Sequence, residues 1–325
     1  MPPKDITSEG CIASNASSKS TGKHRDGSEP PPQEPLSIGI LLSGETIPTW
    51  QKRAIETMLA RTNVEITHLV IRTDTSADNL GDFLLQSFPE NLITYIQCCY
   101  DRLQAHVLWS LLGVVRQLAP TPDYMKPTRI GSIPGFEDAK QIHCPAVPTS
   151  GFGNHLPDQV TEDVGANADV VIRFGFGILT DPLLSMPTHG VLSFHRGNLR
   201  SYRGQPGGLW EFLNDEPTAG VTLQRIGESP DGGEIIAEED VDISSARTWR
   251  EVERRQIAVC EELLAAGVER LQDPTFEPAT PDSLGDLYTI PRGRDVGRYL
   301  TKTTLGNLRA IISESDQIRP SGLQE

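Results

Sequence analysis

The acid–base chemistry open to this chain is concentrated in residues 190–235. His195 ends the apolar run Gly190-Val191-Leu192-Ser193-Phe194, and Asp231 lies further on, in a Pro-Asp-Gly-Gly loop. Imidazole titrates near neutrality, and a carboxylate within hydrogen-bond range orients the ring and favours its protonated form. Such a pair can take a proton from an attacking amine or donate to the oxyanion of an acyl-transfer adduct. Taken singly, a histidine at a strand end is commonly structural, and an aspartate before glycine is commonly a turn residue. The pair gains meaning from the elements around it.

Those elements read as a parallel α/β sheet. Leu36-Ser37-Ile38-Gly39-Ile40-Leu41-Leu42 is a buried-type strand, 48–61 a helix with proline at its first turn, and 64–72 the next strand. Residues 79–119 read as two helices, with 106–118 apolar nearly all round. Residues 120–155 carry no clear period. A short helix is expected over 157–166, a central strand over 168–174, a short helix near 182–186 and a strand over 190–195. Tyr202-Arg203-Gly204 forms a turn, followed by an aromatic helix. Strands over 220–226 and 234–243, an amphipathic helix over 247–271 and a final helix over 296–313 complete the reading. Residues 1–36, rich in Ser, Pro, Gly and charge, are expected to be a disordered tail. The division is therefore a tail at 1–36, a catalytic domain at 37–273 and a C-terminal extension at 274–325.

Composition narrows the partners. The 325-residue chain has a net charge of −15, which argues against a free nucleic-acid-binding surface. Its cations are mostly arginine, and such an acidic, lysine-poor composition is in keeping with a high-salt cytosol. Five cysteines in no paired spacing point to a reducing, cytoplasmic setting. No apolar run is long enough for a membrane span. The histidines show no metal-ligand spacing, so no metal is expected. The loop after the first strand has one glycine, Gly44, and lacks the dinucleotide fingerprint.

Gly190, His195, Leu199, Tyr202-Arg203-Gly204, Trp210, Gly220-Val221-Thr222 and Asp231-Gly232-Gly233, with the upstream run ADVVIRFGFGIL, together resemble the formyltransferase family. Its members act on methionyl-tRNA, glycinamide ribonucleotide and amino sugars. The resemblance implies a Rossmann-like, mainly parallel sheet with helices on both faces, the formyltransferase fold, binding no dinucleotide. It implies 10-formyltetrahydrofolate as co-substrate and His195 and Asp231 as catalytic residues. Ser193 stands where the family has its catalytic asparagine, Gly197 where it has serine, and Arg200 where it has proline. A serine hydroxyl can donate as an amide can, but it is shorter and rotates freely. By the same resemblance, Phe174, Gly175, Phe176, Gly177, Ile178 and Leu179 would meet the pterin. Tyr202, Arg203 and Gly204 would shape the substrate side.

The expected activity is folate-dependent N-formyl transfer to a small amine, with an amino-sugar nucleotide as first choice. Methionyl-tRNA is a weaker fit, because few apolar β patterns follow the long helix; glycinamide ribonucleotide is a further alternative. A domain of this fold that binds folate or a sugar nucleotide without turnover is the reading from another class, and a formate-releasing hydrolase is a third. A homodimer is left open.

Overall fold

The computed structural model describes residues 34–74, 109, 120–149, 153–227, 229 and 231–318. The expected tail up to residue 33 and the helices at 79–119, Trp109 apart, lie outside them. In chain order the elements are β1 (Leu36–Leu42), β2 (Thr46–Pro48), α1 (Thr49–Arg61), β3 (Val64–Arg72), β4 (Pro127–Arg129), β5 (Lys140–Cys144), β6 (Val147–Pro148), β7 (Asn154–His155), α2 (Asp158–Asn167), β8 (Val170–Arg173) and β9 (Val191–His195). They continue with β10 (Tyr202–Gly204), α3 (Leu209–Leu213), β11 (Thr218–Arg225), β12 (Glu234–Asp242), α4 (Trp249–Leu271), β13 (Asp286–Tyr288) and α5 (Arg294–Ile318).

A seven-stranded sheet runs in the order β12-β11-β9-β8-β1-β3-β5. The pairs β9/β8, β8/β1, β1/β3 and β3/β5 are parallel, while β11 is antiparallel to β9 and to β12. Alternation along the strands divides the core into two layers. Ile38, Ile40, Leu42, Leu69, Ile71 and Ile172 point to one face, where they meet Ala54, Ile55 and Met58 of α1 and Cys260, Leu264 and Val268 of α4. Leu41, Val70, Val171 and Val191 point to the other, against Leu156, Val164 and Ala168 around α2. The expected α/β fold with helices on both faces is therefore present.

Two details differ from the sequence reading. Residues 182–186 form turns rather than a short helix; with Pro182 and Pro187 bracketing them, there is no room for a hydrogen-bonded helix of useful length. The patternless stretch 120–155 contains β5, an edge strand of the main sheet, only its last residue buried. A strand wet on both sides has no apolar alternation to read.

The segment after α4 docks beside β10. β13 pairs with β10 in parallel, Arg203 opposite Leu287 and Gly204 opposite Tyr288. Tyr288 also lies against Tyr202 and Trp210, with ring centroids 5.1 and 5.0 Å apart. From α5, Arg298 donates to the Leu213 carbonyl at 2.6 Å and Lys302 pairs with Asp215 at 2.5 Å, which ties off the carboxyl end of α3. Gly204 has φ of +92°, and a Cβ there would come within 2.0 Å of the Tyr288 carbonyl oxygen. Gly204→Ala should therefore lower stability by about 2 kcal/mol or more, through the strained backbone and the lost pairing. Urea unfolding of the full chain measures it, and a midpoint equal to that of the unmodified protein would refute this account of the docking.

Candidate active site

His195 is the last residue of β9, at the carboxyl edge of the parallel strands, where open α/β sheets bind ligands. Its side chain is 2% exposed. Nδ1 lies 3.4 Å from Asp231 Oδ1, and Nε2 lies 2.9 Å from the Tyr202 carbonyl oxygen. The two residues singled out from the sequence thus come together, and neither nitrogen of the ring is free. The turn after β9 makes the second contact. Asn198 Oδ1 accepts from the Arg200 N–H at 2.9 Å, and the Asn198 carbonyl accepts from Ser201 and Tyr202, so the chain folds back over the histidine. Gly197 leaves room for this: a Cβ there would stand 2.6 Å from His195 Nε2 and 2.7 Å from the Tyr202 carbonyl oxygen.

Asp231 reaches the pair from its loop with φ of +47°. Its Oδ2 accepts the Gly204 N–H at 3.0 Å, and the Gln224 amide lies 3.5 Å from Oδ1. With 27% of its side chain exposed, it is the member of the pair that reaches solvent. Burial pushes its carboxyl up, but the His195 hydrogen bond and charge, the Gly204 N–H and the Gln224 amide outweigh that and hold it below its ordinary value. Burial pulls the His195 ring down; the Asp231 hydrogen bond and charge, the Tyr202 carbonyl and the Glu211 charge outweigh it and hold the ring above its ordinary value. Both shifts favour imidazolium beside carboxylate.

Ser193 is on β9 too, 3% exposed, and faces Gln224 across the β9/β11 register. Its Oγ accepts from Arg173 Nη2 at 2.8 Å, so the hydroxyl is held in place. Arg173 also donates to the Gly177 carbonyl. The loop expected to hold the pterin is partly committed to internal contacts. Phe176 is buried and its carbonyl accepts from Asn154 Nδ2, while the Ile178 carbonyl accepts from the Asn154 N–H. Phe174 packs edge-on to Trp50 and near-parallel to Phe194 on the α1 face of the sheet. Gly175 and Leu179 are buried, and Gly177 and Ile178 are exposed.

The three residues expected on the substrate side are mainly scaffold. The Tyr202 hydroxyl donates to Glu216 at 2.7 Å, Arg203 Nε donates to the Gly285 carbonyl at 2.7 Å, and Gly204 serves Asp231 and β13. Sequence reading missed Arg173, Gln224 and Glu211. Arg173 carried a visible signal, a lone charge in the apolar strand VVIR. Glu211 is 3% exposed on α3, and burial pushes its carboxyl up to about 7; within the aromatic helix LWEFL it reads as a solvent-facing charge. Among the described residues, no group of His, Cys, Asp and Glu could hold a metal ion, and no helix is long and apolar enough to cross a membrane.

Parts of the chain are similar to known proteins. A family described as Formyl transferase matches residues 138–266. A methionyl-tRNA formyltransferase from Agathobacter rectalis is 29% identical over 132 residues, 40% of this chain and 43% of that one. Another from Thermotoga neapolitana is 32% identical over 108 residues, 33% of this chain and 34% of that one. The chain thus spans less than half the length of either relative. A glycinamide ribonucleotide transformylase from Symbiobacterium toebii superposes with a TM-score of 0.47 at 13% identity, over 76% of this chain and 95% of that one, which is too loose to align side chains. The matched stretch contains β8, β9 and the Asp231 loop, and over it the chain is similar to the formyl transferase family.

Proposed function

We propose that this protein transfers a formyl group from 10-formyltetrahydrofolate to the amine of a small acceptor, with an amino-sugar nucleotide as the first choice. The observation that carries the reading is the His195–Asp231 pair at the sheet edge, in which the imidazole is enclosed and the carboxylate is accessible. This arrangement supports a division of labour different from the one the residue types suggest. With both ring nitrogens facing oxygens, His195 serves best as a fixed cation that orients Asp231. Asp231 is then the group that takes the proton from the attacking nitrogen. Gln224 and the Gly204 N–H keep its oxygens aligned. The folate, when bound, supplies an activated one-carbon unit. The donor set present, a carboxylate, an imidazolium and a guanidinium on one edge, fits acyl transfer to an amine. The loop Phe174–Leu179, with Gly177 and Ile178 at its exposed tip, would hold the pterin.

The acceptor rests on less. Residues 274–318 form β13 and α5 against the domain, which favours a compact acceptor over a tRNA. The names of the relatives favour methionyl-tRNA as the second reading. Purified protein incubated with 10-formyltetrahydrofolate and a panel of amino-sugar nucleotides, glycinamide ribonucleotide and methionyl-tRNA separates them. Donor-dependent formylation of a sugar nucleotide, lost by roughly 1,000-fold or more in Asp231→Asn and in His195→Ala, is expected. Tight folate binding without transfer to any acceptor would replace the enzyme with a binding module, and donor loss without acceptor would replace it with a hydrolase.

The pair also sets a pH dependence. His195 is raised from an ordinary value of 6.5, so its contribution to stability is fully present below 6.5 and is lost as pH rises through the higher folded value. Asp231 is lowered from 3.8, so its contribution is present above 3.8 and is lost as pH falls through the lower folded value. The stability gap between the unmodified protein and Asp231→Asn should therefore be widest between those two values and narrow above neutrality. Thermal unfolding across pH 4 to 9 measures it; a gap that widens with rising pH would overturn the charged-pair assignment.

A further inference from the structure

β8 is apolar until its last residue, Arg173, which turns a guanidinium into the site. In the parallel register Val171 faces Val191 and Ile172 faces Leu192, so the next step sets Arg173 beside Ser193, on the sheet face that His195 shares. Nη2 donates to Ser193 Oγ at 2.8 Å and Nη1 to the Gly177 carbonyl. Nε is buried and has no hydrogen-bond partner among the described residues. Nor, among those residues, does any carboxylate come within ion-pair range of this guanidinium. A guanidinium has five N–H donors, and the acceptors found here are neutral. Burial works against its charge, and Asp231 is the anion near enough to offset that. A buried cation without its own anion is unfavourable, and proteins keep such groups mainly where a ligand completes them. The Arg173 guanidinium and the His195 imidazolium share this edge with the Asp231 carboxylate, and the buried Glu211 acts on the histidine from α3.

We propose that Arg173 is the oxyanion-binding residue of this site and Ser193 the positioning residue that aims it, so that the cluster accepts a small carboxylate or the oxyanion of a tetrahedral adduct. The catalytic half of this assignment rests on the formyl-transfer reading. As the amine lone pair forms the new C–N bond, the π pair of the formyl C=O moves onto oxygen, where Arg173 N–H groups meet the charge. As that pair returns, the bond to the folate nitrogen breaks, and that nitrogen receives the proton which the attacking amine gave to Asp231. Ser193 in this account contributes no proton; with the Gly177 carbonyl on the loop side, it fixes the direction of the guanidinium.

Two measurements on the full chain test it. Formate, a one-carbon carboxylate, is titrated into the unmodified protein, Arg173→Gln and Ser193→Ala by calorimetry. Saturable binding that weakens by about ten- to a hundredfold in Arg173→Gln, and by less in Ser193→Ala, is expected. In formylation assays kcat should fall roughly 100- to 1,000-fold in Arg173→Gln with KM for the folate little changed, and guanidinium ion should restore part of the activity of Arg173→Ala. Thermal unfolding confirms that each variant is folded. Equal formate affinity in the unmodified protein and Arg173→Gln, or an unchanged kcat, overturns the assignment. If the unmodified protein formylates no acceptor, the transfer reading fails and the formate titration alone decides Arg173. If it formylates and Arg173→Gln does so equally, Arg173 is excluded and the transfer reading stands.

Discussion

A buried imidazole with an oxygen at each nitrogen is the constraint on which the site is built. A neutral histidine can donate from one nitrogen only and would turn a lone pair toward an oxygen at the other. The imidazolium donates to both, so the Tyr202 carbonyl on one side and Asp231 on the other select the charged ring. Three local features converge to make this possible: the Asn198 turn brings the Tyr202 carbonyl round, Gly197 clears the space between it and the ring, and the left-handed backbone at Asp231 returns a carboxylate from a distant loop. A buried ion pair is a poor source of net stability, because removing two charges from water cancels most of what their attraction returns. Its value here is orientation. The ring cannot rotate without losing both contacts, so the carboxylate it holds keeps its direction.

That scaffold was legible in the sequence to the extent that it is periodic or locally coded. β1 and β3 announce themselves as unbroken apolar runs because parallel strands are covered on both faces. α4 is readable from its amphipathic stripe; the structure adds Thr248, whose hydroxyl accepts the Glu251 N–H at 3.3 Å to start it. His195 and Asp231 became visible together only through the pattern around them, since a histidine and an aspartate so far apart carry no shared local signal. What escaped depends on contacts made across the sheet. Gln224 lies opposite Ser193 and near Asp231 only after β9 and β11 pair in register. Glu211 sits in a short aromatic helix, where one acid looks like a solvated face; tertiary packing buries it. Tyr202-Arg203-Gly204, set on the substrate side by family resemblance, is tied by its hydrogen bonds into the frame of the site.

Two charged groups at the centre, Arg173 and His195, are opposite in sign to the chain as a whole. A net −15 describes the surface, which governs solubility and long-range association. Water and salt screen that field within about 8–10 Å, whereas Arg173, His195 and Asp231 act on one another in a low-dielectric layer. An acidic protein can therefore keep buried cations at its site without conflict. The departure from the family pattern at Ser193 fits the same view: a short hydroxyl beside Arg173 leaves room for a guanidinium, and a longer side chain at that position would compete with it for space.

The same economy of backbone links the C-terminal segment to the chemistry. Gly204 donates its N–H to Asp231 and lies opposite Tyr288 in the β10/β13 register, so one residue serves both the carboxylate and the docked strand. Arg203, next to it, is held by the Gly285 carbonyl. Loosening of β13 would therefore take away the frame of β10, and with it the fixed N–H that helps keep Asp231 ionised. The carboxylate would then have His195 and the more distant Gln224 amide, a partner set that fixes its charge better than its direction. Position is the scarcer quantity in acyl transfer, since an error of an ångström at a proton acceptor costs more rate than a modest change in its basicity. By this argument the strand beyond α4 belongs to the active site's support as much as the turn at Asn198 does.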